Sequence, residues 1–250
     1  MTMFYFSGTG NSKFVAEVFA KEMNAECYSI ENKVDFAKLI NESDTVAFCY
    51  PVYMSRVPRI VREFAFKYFN ELKGKRIIIF CTQFLLSGDG ARAFSDLFLK
   101  GHIKVIYAEH FFMPNNVNNV GILAKPKAKT IEKCMQKSIQ KVKKVCENIR
   151  HGRIKKRGFN IVGRALGLPQ GIFMNPTERI ANKSVRIGDE CNLCGFCEKI
   201  CPTKNLLIEN SKVMHKNNCT MCYRCINKCP KKAINVVFKG KVKWQYEGIN

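Results

Sequence analysis

Eight of the 13 cysteines in this 250-residue chain fall into one run that occurs twice. The run reads Cys191-x-x-Cys194-x-x-Cys197-x-x-x-Cys201-Pro202, and it returns 28 residues later as Cys219-x-x-Cys222-x-x-Cys225-x-x-x-Cys229-Pro230. Two-residue gaps let one tight loop offer three thiolates to three corners of a tetrahedron, while the fourth cysteine stands beyond that loop. A zinc site closes with four ligands from one or two Cys-x-x-Cys knuckles. It needs neither a third cysteine at the same gap nor a Cys-Pro after it, twice over. A disulfide framework requires an oxidising compartment and usually an even count. The spacing instead suits two [4Fe–4S] cubanes.

This array resembles the ligand run of bacterial ferredoxins that carry two such clusters. In that family the fourth cysteine of each run ligates the other cluster. The resemblance therefore implies that Cys191, Cys194, Cys197 and Cys229 hold one cluster, and that Cys219, Cys222, Cys225 and Cys201 hold the second. Leu193, Phe196, Ile200, Met221 and Ile226 between the ligands would exclude water.

The rest of the chain is long enough for a second, larger domain. Hydrophobic residues are 46% of the whole, enough for a packed core. No apolar run approaches the roughly 18 residues of a membrane span. Met1 leads directly into an apolar stretch with no basic leader, so we expect a cytoplasmic protein in a reducing, anaerobic setting. The formal charge of +22 is spread along the chain: residues 1–150 carry 23 basic and 14 acidic side chains, and residues 191–250 carry 11 and 3. A nucleic-acid reader concentrates its charge on one face, so we expect no specific nucleic acid. The excess favours an acidic redox partner drawn in by the field.

Residues 1–150 alternate between apolar strand patterns and amphipathic helix patterns. Strands are predicted near 3–6, 26–30, 44–50, 75–82 and 103–112, and helices near 11–23, 34–41, 58–71, 90–100 and 127–150. Alternation of this kind gives an α/β fold, a doubly wound parallel sheet with helices on both faces. Thr45–Tyr50 and Ile77–Cys81 are almost wholly apolar, as strands buried on both faces must be. Ligands of such sheets bind beyond the carboxyl ends of the strands.

The first such end reads Ser7-Gly8-Thr9-Gly10-Asn11-Ser12. Strand, hydroxyl-rich turn and helix make a phosphate cradle, because free N–H groups and the helix dipole face the anion. No Gly-Lys-Ser/Thr follows, which excludes a Walker loop. A dinucleotide fingerprint would want a third glycine where Lys13 stands, although Glu31 after the next strand keeps that alternative open. The loop resembles the FMN phosphate loop of flavodoxins. Tyr50-Pro51-Val52-Tyr53 resembles their second flavin loop, and Thr82-Gln83-Phe84 stands where the third would be.

The whole chain resembles a flavodoxin–ferredoxin fusion family of anaerobic bacteria. The resemblance implies a five-stranded flavodoxin-like sheet of order 2-1-3-4-5 over residues 1–150, and a small α+β two-cluster domain over 185–250. It implies FMN at the sheet edge, held by Ser7, Gly8, Thr9, Gly10, Asn11, Ser12, Pro51, Val52, Tyr53, Thr82, Gln83 and Phe84. Asn115, after the last strand, reads either as a contact to the flavin rim or as an asparagine turn.

Residues 151–184 carry charge at Arg153, Lys155, Lys156 and Arg157, then run apolar with glycine and proline interruptions. This segment is too long for a bare linker. We expect it to pack against both domains; a basic membrane-surface helix is the alternative, which the glycines and prolines oppose. Two β-ribbons are expected in the last domain, one turning at Asn210-Ser211 and one joining 234–238 to 242–244. The expected function is electron transfer between the clusters and FMN, coupling a low-potential one-electron donor to the flavin. A ferredoxin, a flavodoxin or a reductase would be the partner. The second expectation is a ferredoxin-linked flavin reductase acting on a small acceptor such as a quinone or nitro compound. Cys27, Cys49, Cys81, Cys134 and Cys146 are expected to be buried small hydrophobes.

Overall fold

Strands β1 (Thr2–Tyr5), β2 (Glu26–Ser29), β3 (Thr45–Pro51), β4 (Arg76–Gln83) and β5 (Lys104–Phe112) alternate with helices α1 (Asn11–Met23), α2 (Phe36–Asn41), α3 (Arg59–Lys67), α4 (Gly90–Ser95) and α5 (Ala128–Arg150). The structure is a computed structural model that describes residues 1–238 and 240–249. The sheet is parallel, ordered β2-β1-β3-β4-β5, and β1 sits between β2 and β3 with Thr2 opposite both Glu26 and Val46. Side chains of β3 part to the two faces with the period of two that a pleated strand imposes. Val46, Phe48 and Tyr50 join Phe64 and Phe94 on one face, while Ala47 and Cys49 join Val15, Phe19, Val142 and Val145 of α1 and α5 on the other.

The sheet has six strands, one more than the sequence implied. The sixth, β6 (Lys155–Lys156), is two residues long and pairs parallel with Tyr107 and Ala108 of β5. So short a strand carries no hydrophobic period. Glu109 anchors it: this fully buried carboxylate lies 2.9 Å from Lys155 Nζ, 3.0 Å from Lys141 Nζ and 3.4 Å from Arg157 Nη1. Burial alone would raise the Glu109 pKa, but the lysines outweigh it and hold the carboxyl below its ordinary range.

The segment that glycine and proline were expected to interrupt is one continuous helix, α6 (Ile161–Lys183), with Pro169 and Pro176 inside it. Asn160 caps it, its Oδ1 accepting from Gly163 N at 2.9 Å. Each proline withholds one backbone N–H. The residue after each one bonds back to its own preceding turn: Gln170 Nε2 donates to Leu166 O at 3.1 Å, and Thr177 Oγ1 to Phe173 O at 2.7 Å. Gly163, Gly167 and Gly171 form the buried side of α6. A Cβ on Gly167 would collide with the Asp89 carboxylate, and one on Gly171 with the Arg56 guanidinium. The glycines therefore serve close packing on the first domain.

The remaining chain forms β7 (Arg186–Ile187), α7 (Phe196–Ile200), β8 (Leu206–Glu209), β9 (Lys212–His215), α8 (Arg224–Lys228) and β10 (Ile234–Asn235). β8 and β9 pair antiparallel around Asn210 and Ser211, both at positive φ, as the first expected ribbon. The second ribbon is different. β10 pairs antiparallel with β7 instead of with 242–244, and Lys239 of the expected turn lies outside the described residues. Residues 244–249 instead return to the first domain, where Trp244, Tyr246 and Ile249 pack into the core beside α1 and α5. Among the other cysteines Cys49, Cys81 and Cys146 are buried as expected, but Cys27 and Cys134 are only half-buried. No helix among the described residues is long and apolar enough to cross a membrane.

Candidate cofactor sites

A cavity of about 380 Å³ opens at the carboxyl edge of the sheet. It is lined by Ser7, Gly8, Thr9, Asn11, Ser12, Pro51, Val52, Tyr53, Thr82, Gln83 and Phe84, which is every flavin candidate from the sequence except Gly10. Three strand ends deliver them: the turn after β1, the turn after β3, and the end of β4. Gly10 instead caps α1 in the left-handed region at φ 99°.

The cradle itself holds both free donors and filled spaces. The N–H groups of Thr9, Asn11 and Ser12 find no partner among the described residues, as expected at a helix start. Ser7 Oγ accepts from Gly10 N at 3.0 Å, and Ser12 Oγ lies 2.6 Å from Thr82 Oγ1. The glycines, however, admit protein. A Cβ on Gly8 would strike the Cys222 carbonyl, and one on Gly10 would come to 2.6 Å from Ile249 O.

The far wall comes from distant sequence. Met221 and Tyr223 of the second cysteine loop line the cavity, with Thr177 of α6 and Val237 and Phe238 after β10. Met113–Val117 after β5 close the side. Asn115 is spent on its own turn, donating to Val117 O at 3.0 Å and accepting from Val117 N at 2.9 Å. The asparagine-turn reading therefore holds for its side chain. The other asparagines join the domains: Asn118 donates to Asn227 Oδ1 at 3.1 Å, and Asn119 to Val236 O at 2.9 Å. Only the richness in asparagine signalled this in the sequence.

Arg224 clasps the same junction. It donates to Ser7 O at 2.8 Å, Gly8 O at 3.2 Å and Ile200 O at 3.0 Å, and pairs with Glu31 at 2.6 and 2.8 Å. Glu31 is thereby occupied, which removes the dinucleotide alternative it had kept open.

The eight run cysteines divide between two small cavities. Cys191, Cys194, Cys197 and Cys229 line one; Cys201, Cys219, Cys222 and Cys225 line the other. Proline does the sorting. Cys201 and Cys229 end α7 and α8 with nearly the same extended backbone, φ −72° ψ 115° and φ −70° ψ 117°. A following proline disfavours the helical conformation, so each cysteine swings out of its own loop's quartet. Among the described residues no three His, Cys, Asp or Glu side chains converge on a single ion. Burial pushes the Cys219 thiol up to about 11 and the Cys222 thiol up to about 12. Metal must displace those protons to bind. Tyr53 lines the large cavity beside the Cys219–Cys222 loop: burial raises its phenol well above its ordinary value, and the neighbouring Cys222 and Cys219 add to that.

Residues 2–166 match the family model of the flavodoxin domain. The chain belongs to the flavodoxin family. Residues 188–233 match the 4Fe-4S dicluster domain, so a flavodoxin domain is followed here by a dicluster domain. No curated protein matches the chain. Similar solved structures include a WrbA-like flavodoxin from Agrobacterium tumefaciens, at 17% identity and TM-score 0.41, covering 60% of this chain and 97% of that one. A flavodoxin from the domain Archaea has 15% identity and TM-score 0.38, covering 58% and 97%. The two-electron-reduced flavodoxin of Megasphaera elsdenii has 18% identity and TM-score 0.38, covering 56% and 98%.

The cofactor of the flavodoxin domain is FMN, and those of the dicluster domain are [4Fe–4S] clusters. The residues present fit both. Gln83 is buried in the FMN cavity with neither its amide nitrogen nor its oxygen partnered, a donor and an acceptor for a ring edge that offers both. The hydroxyl of Tyr223, a residue that lines both this cavity and that of the Cys219 quartet, is likewise buried and unpartnered. The two quartets supply the four thiolates that each cubane takes. The chain is thus an electron-transfer flavin and iron–sulfur protein.

Proposed function

We propose that this flavodoxin–dicluster protein couples a low-potential one-electron donor to FMN through its two clusters. Residues 1–150 bind FMN, 151–184 pack between the domains, and 185–250 hold the clusters. Cys191, Cys194, Cys197 and Cys229 ligate the cluster at the outer end. Cys219, Cys222, Cys225 and Cys201 ligate the one against the flavin. The observation that carries this reading is the shared wall: Met221 and Tyr223, on either side of Cys222, line the flavin cavity, and the Cys222 carbonyl fills the space beside Gly8.

When bound, the clusters exchange single electrons and FMN stores two. The chain supplies the rest. The N–H groups of Thr9, Asn11 and Ser12 receive the phosphate, and Gln83 offers its amide to the ring edge. Tyr53, Met221 and Tyr223 keep water from the gap between flavin and inner cluster, which lowers the local dielectric. Cys194 is exposed and Cys222 buried, which supports entry at the outer quartet. The partner we propose is an acidic redox protein, given the net charge of +22. The exposed rim at Met54, Phe84 and Phe238 favours a second reading, in which FMN passes electrons on to a small acceptor such as a quinone or nitro compound.

The test is anaerobic purification with iron and flavin counted, followed by rapid mixing with a reduced ferredoxin. Flavin reduction should follow cluster reduction, and Cys225→Ser should remove about half the iron and abolish flavin reduction. Zinc in place of iron, or flavin reduction that persists in Cys225→Ser, would overturn the relay. Turnover of added quinone separates the second reading.

A further inference from the structure

Helix α6 has two unlike sides. Its glycine side is buried on the first domain, over Gly88, Asp89 and Arg56. Its other side is apolar and uncovered: Ile161 is 87% exposed, Ile172 71% and Phe173 63%, and Val162, Leu168 and Ile180 are exposed with them. At 1.5 Å per residue the stretch from Ile161 to Ile180 is about 29 Å long. Leu85 and Leu86, on the loop that leads to Gly88 beneath the helix, are exposed as well. Isolated exposed apolar residues are ordinary, but a continuous ridge of them marks an interaction surface.

Charge decides what covers the ridge. Residues 151–184 carry seven basic side chains and one acidic one. That acidic residue, Glu178, turns inward and pairs with Arg62 at 2.7 Å. The basic residues Arg153, Lys155, Lys156, Arg157, Arg164, Arg179 and Lys183 are all exposed, around and along the apolar side. Apolar face, basic border and no free carboxylate are the features of a helix that lies in a membrane interface. The helix is not apolar enough to span one. A second copy of this chain would bring basic borders against each other across a two-fold axis, because such an interface repeats the same patch on both subunits.

We propose that the outward face of α6 rests in the surface of an anionic lipid bilayer, held by Ile161, Ile172 and Phe173 and by the basic residues around them. The inference stands independently of the direction of electron flow. The test uses the full-length holoprotein, sedimented with vesicles of phosphatidylcholine containing about a third phosphatidylglycerol, and with pure phosphatidylcholine, at about 0.15 M salt. The protein should sediment with the anionic vesicles and at least about tenfold more weakly with neutral ones. The double variant I172S/F173S should lose at least about tenfold of the anionic binding. Because both side chains are exposed, its flavin and cluster spectrum should stay unchanged. No binding to anionic vesicles would overturn the proposal. Equal binding by I172S/F173S would also overturn it, since that is plain attraction of a basic protein. So would a lipid-free dimer that the double variant dissociates, since a second copy would then own the face.

Discussion

Replacing Arg224 should loosen the dicluster domain from the FMN phosphate loop. The guanidinium makes five hydrogen bonds, two to Glu31 and three to carbonyls of Ser7, Gly8 and Ile200. The side chains of Arg224 and Glu31 are 20% and 25% exposed, so the pair is neither free in water nor fully desolvated. Removing one partner of a buried pair costs about 3–5 kcal/mol, and a surface pair is worth at most about 1. Partial exposure lets water reach some of the orphaned carbonyls, which sets Arg224→Met at about 2–3 kcal/mol. Glu31→Gln keeps the three carbonyl bonds and should cost about 1 kcal/mol. A double-mutant cycle over these two changes should give a coupling of about 1 kcal/mol. The assay is anaerobic urea unfolding of the holoprotein, followed separately by flavin fluorescence and cluster absorbance. The two probes should coincide in the parent and part in Arg224→Met, with the clusters lost first. An Arg224→Met midpoint within about 0.5 kcal/mol of the parent, or additive single changes, would refute the clasp.

Other outcomes follow from other parts of the molecule. Gly88→Ala would push a methyl into the backbone of α6 at Gly163 and Gly167 and should destabilise the protein by about 1–3 kcal/mol, read as a lower thermal midpoint and faster proteolysis within α6. His110 is buried, and burial, then Arg157, lower its pKa from 6.5 to about 4. The unfolded chain therefore takes up a proton that the folded chain refuses, so stability should fall with pH across that window. The drop should be about 1 kcal/mol between about pH 7 and about pH 5.5, and His110→Gln should flatten it in urea titrations. Lys228, Lys232 and Lys243 line a groove beside Cys229. Reversing all three to Glu should slow reduction by an acidic donor protein at least about tenfold at low salt, and leave reduction by a small neutral reductant unchanged in stopped-flow traces.

Much of this was legible in the order of residues because it is local chemistry. Two-residue gaps and a Cys-Pro mark where thiolates gather in this chain, and the structure has Cys191, Cys194, Cys197 and Cys229 lining one small cavity and Cys201, Cys219, Cys222 and Cys225 the other. The apolar runs at 45–50 and 77–81 had no other home than the middle of a parallel sheet, and the ligand edge follows from strand direction. Local signals failed where the chain answers to distant partners. Nothing near Gly8 and Gly10 in the sequence signals that the space beside them is filled by Cys222 and Ile249. Pro169 and Pro176 read as helix breakers, yet α6 runs through both, supported by glycine packing and back-bonding side chains.

The sequence by itself determined the five longer strands of the sheet and the cofactor classes, since spacing and periodicity act over a few residues. Only the tertiary structure decided that Tyr223 and Met221 close the flavin cavity, that Arg224 meets Glu31 across 193 positions, and that α6 turns its apolar side outward. Those choices depend on which surfaces remain uncovered after the core is filled, and no local pattern records that remainder.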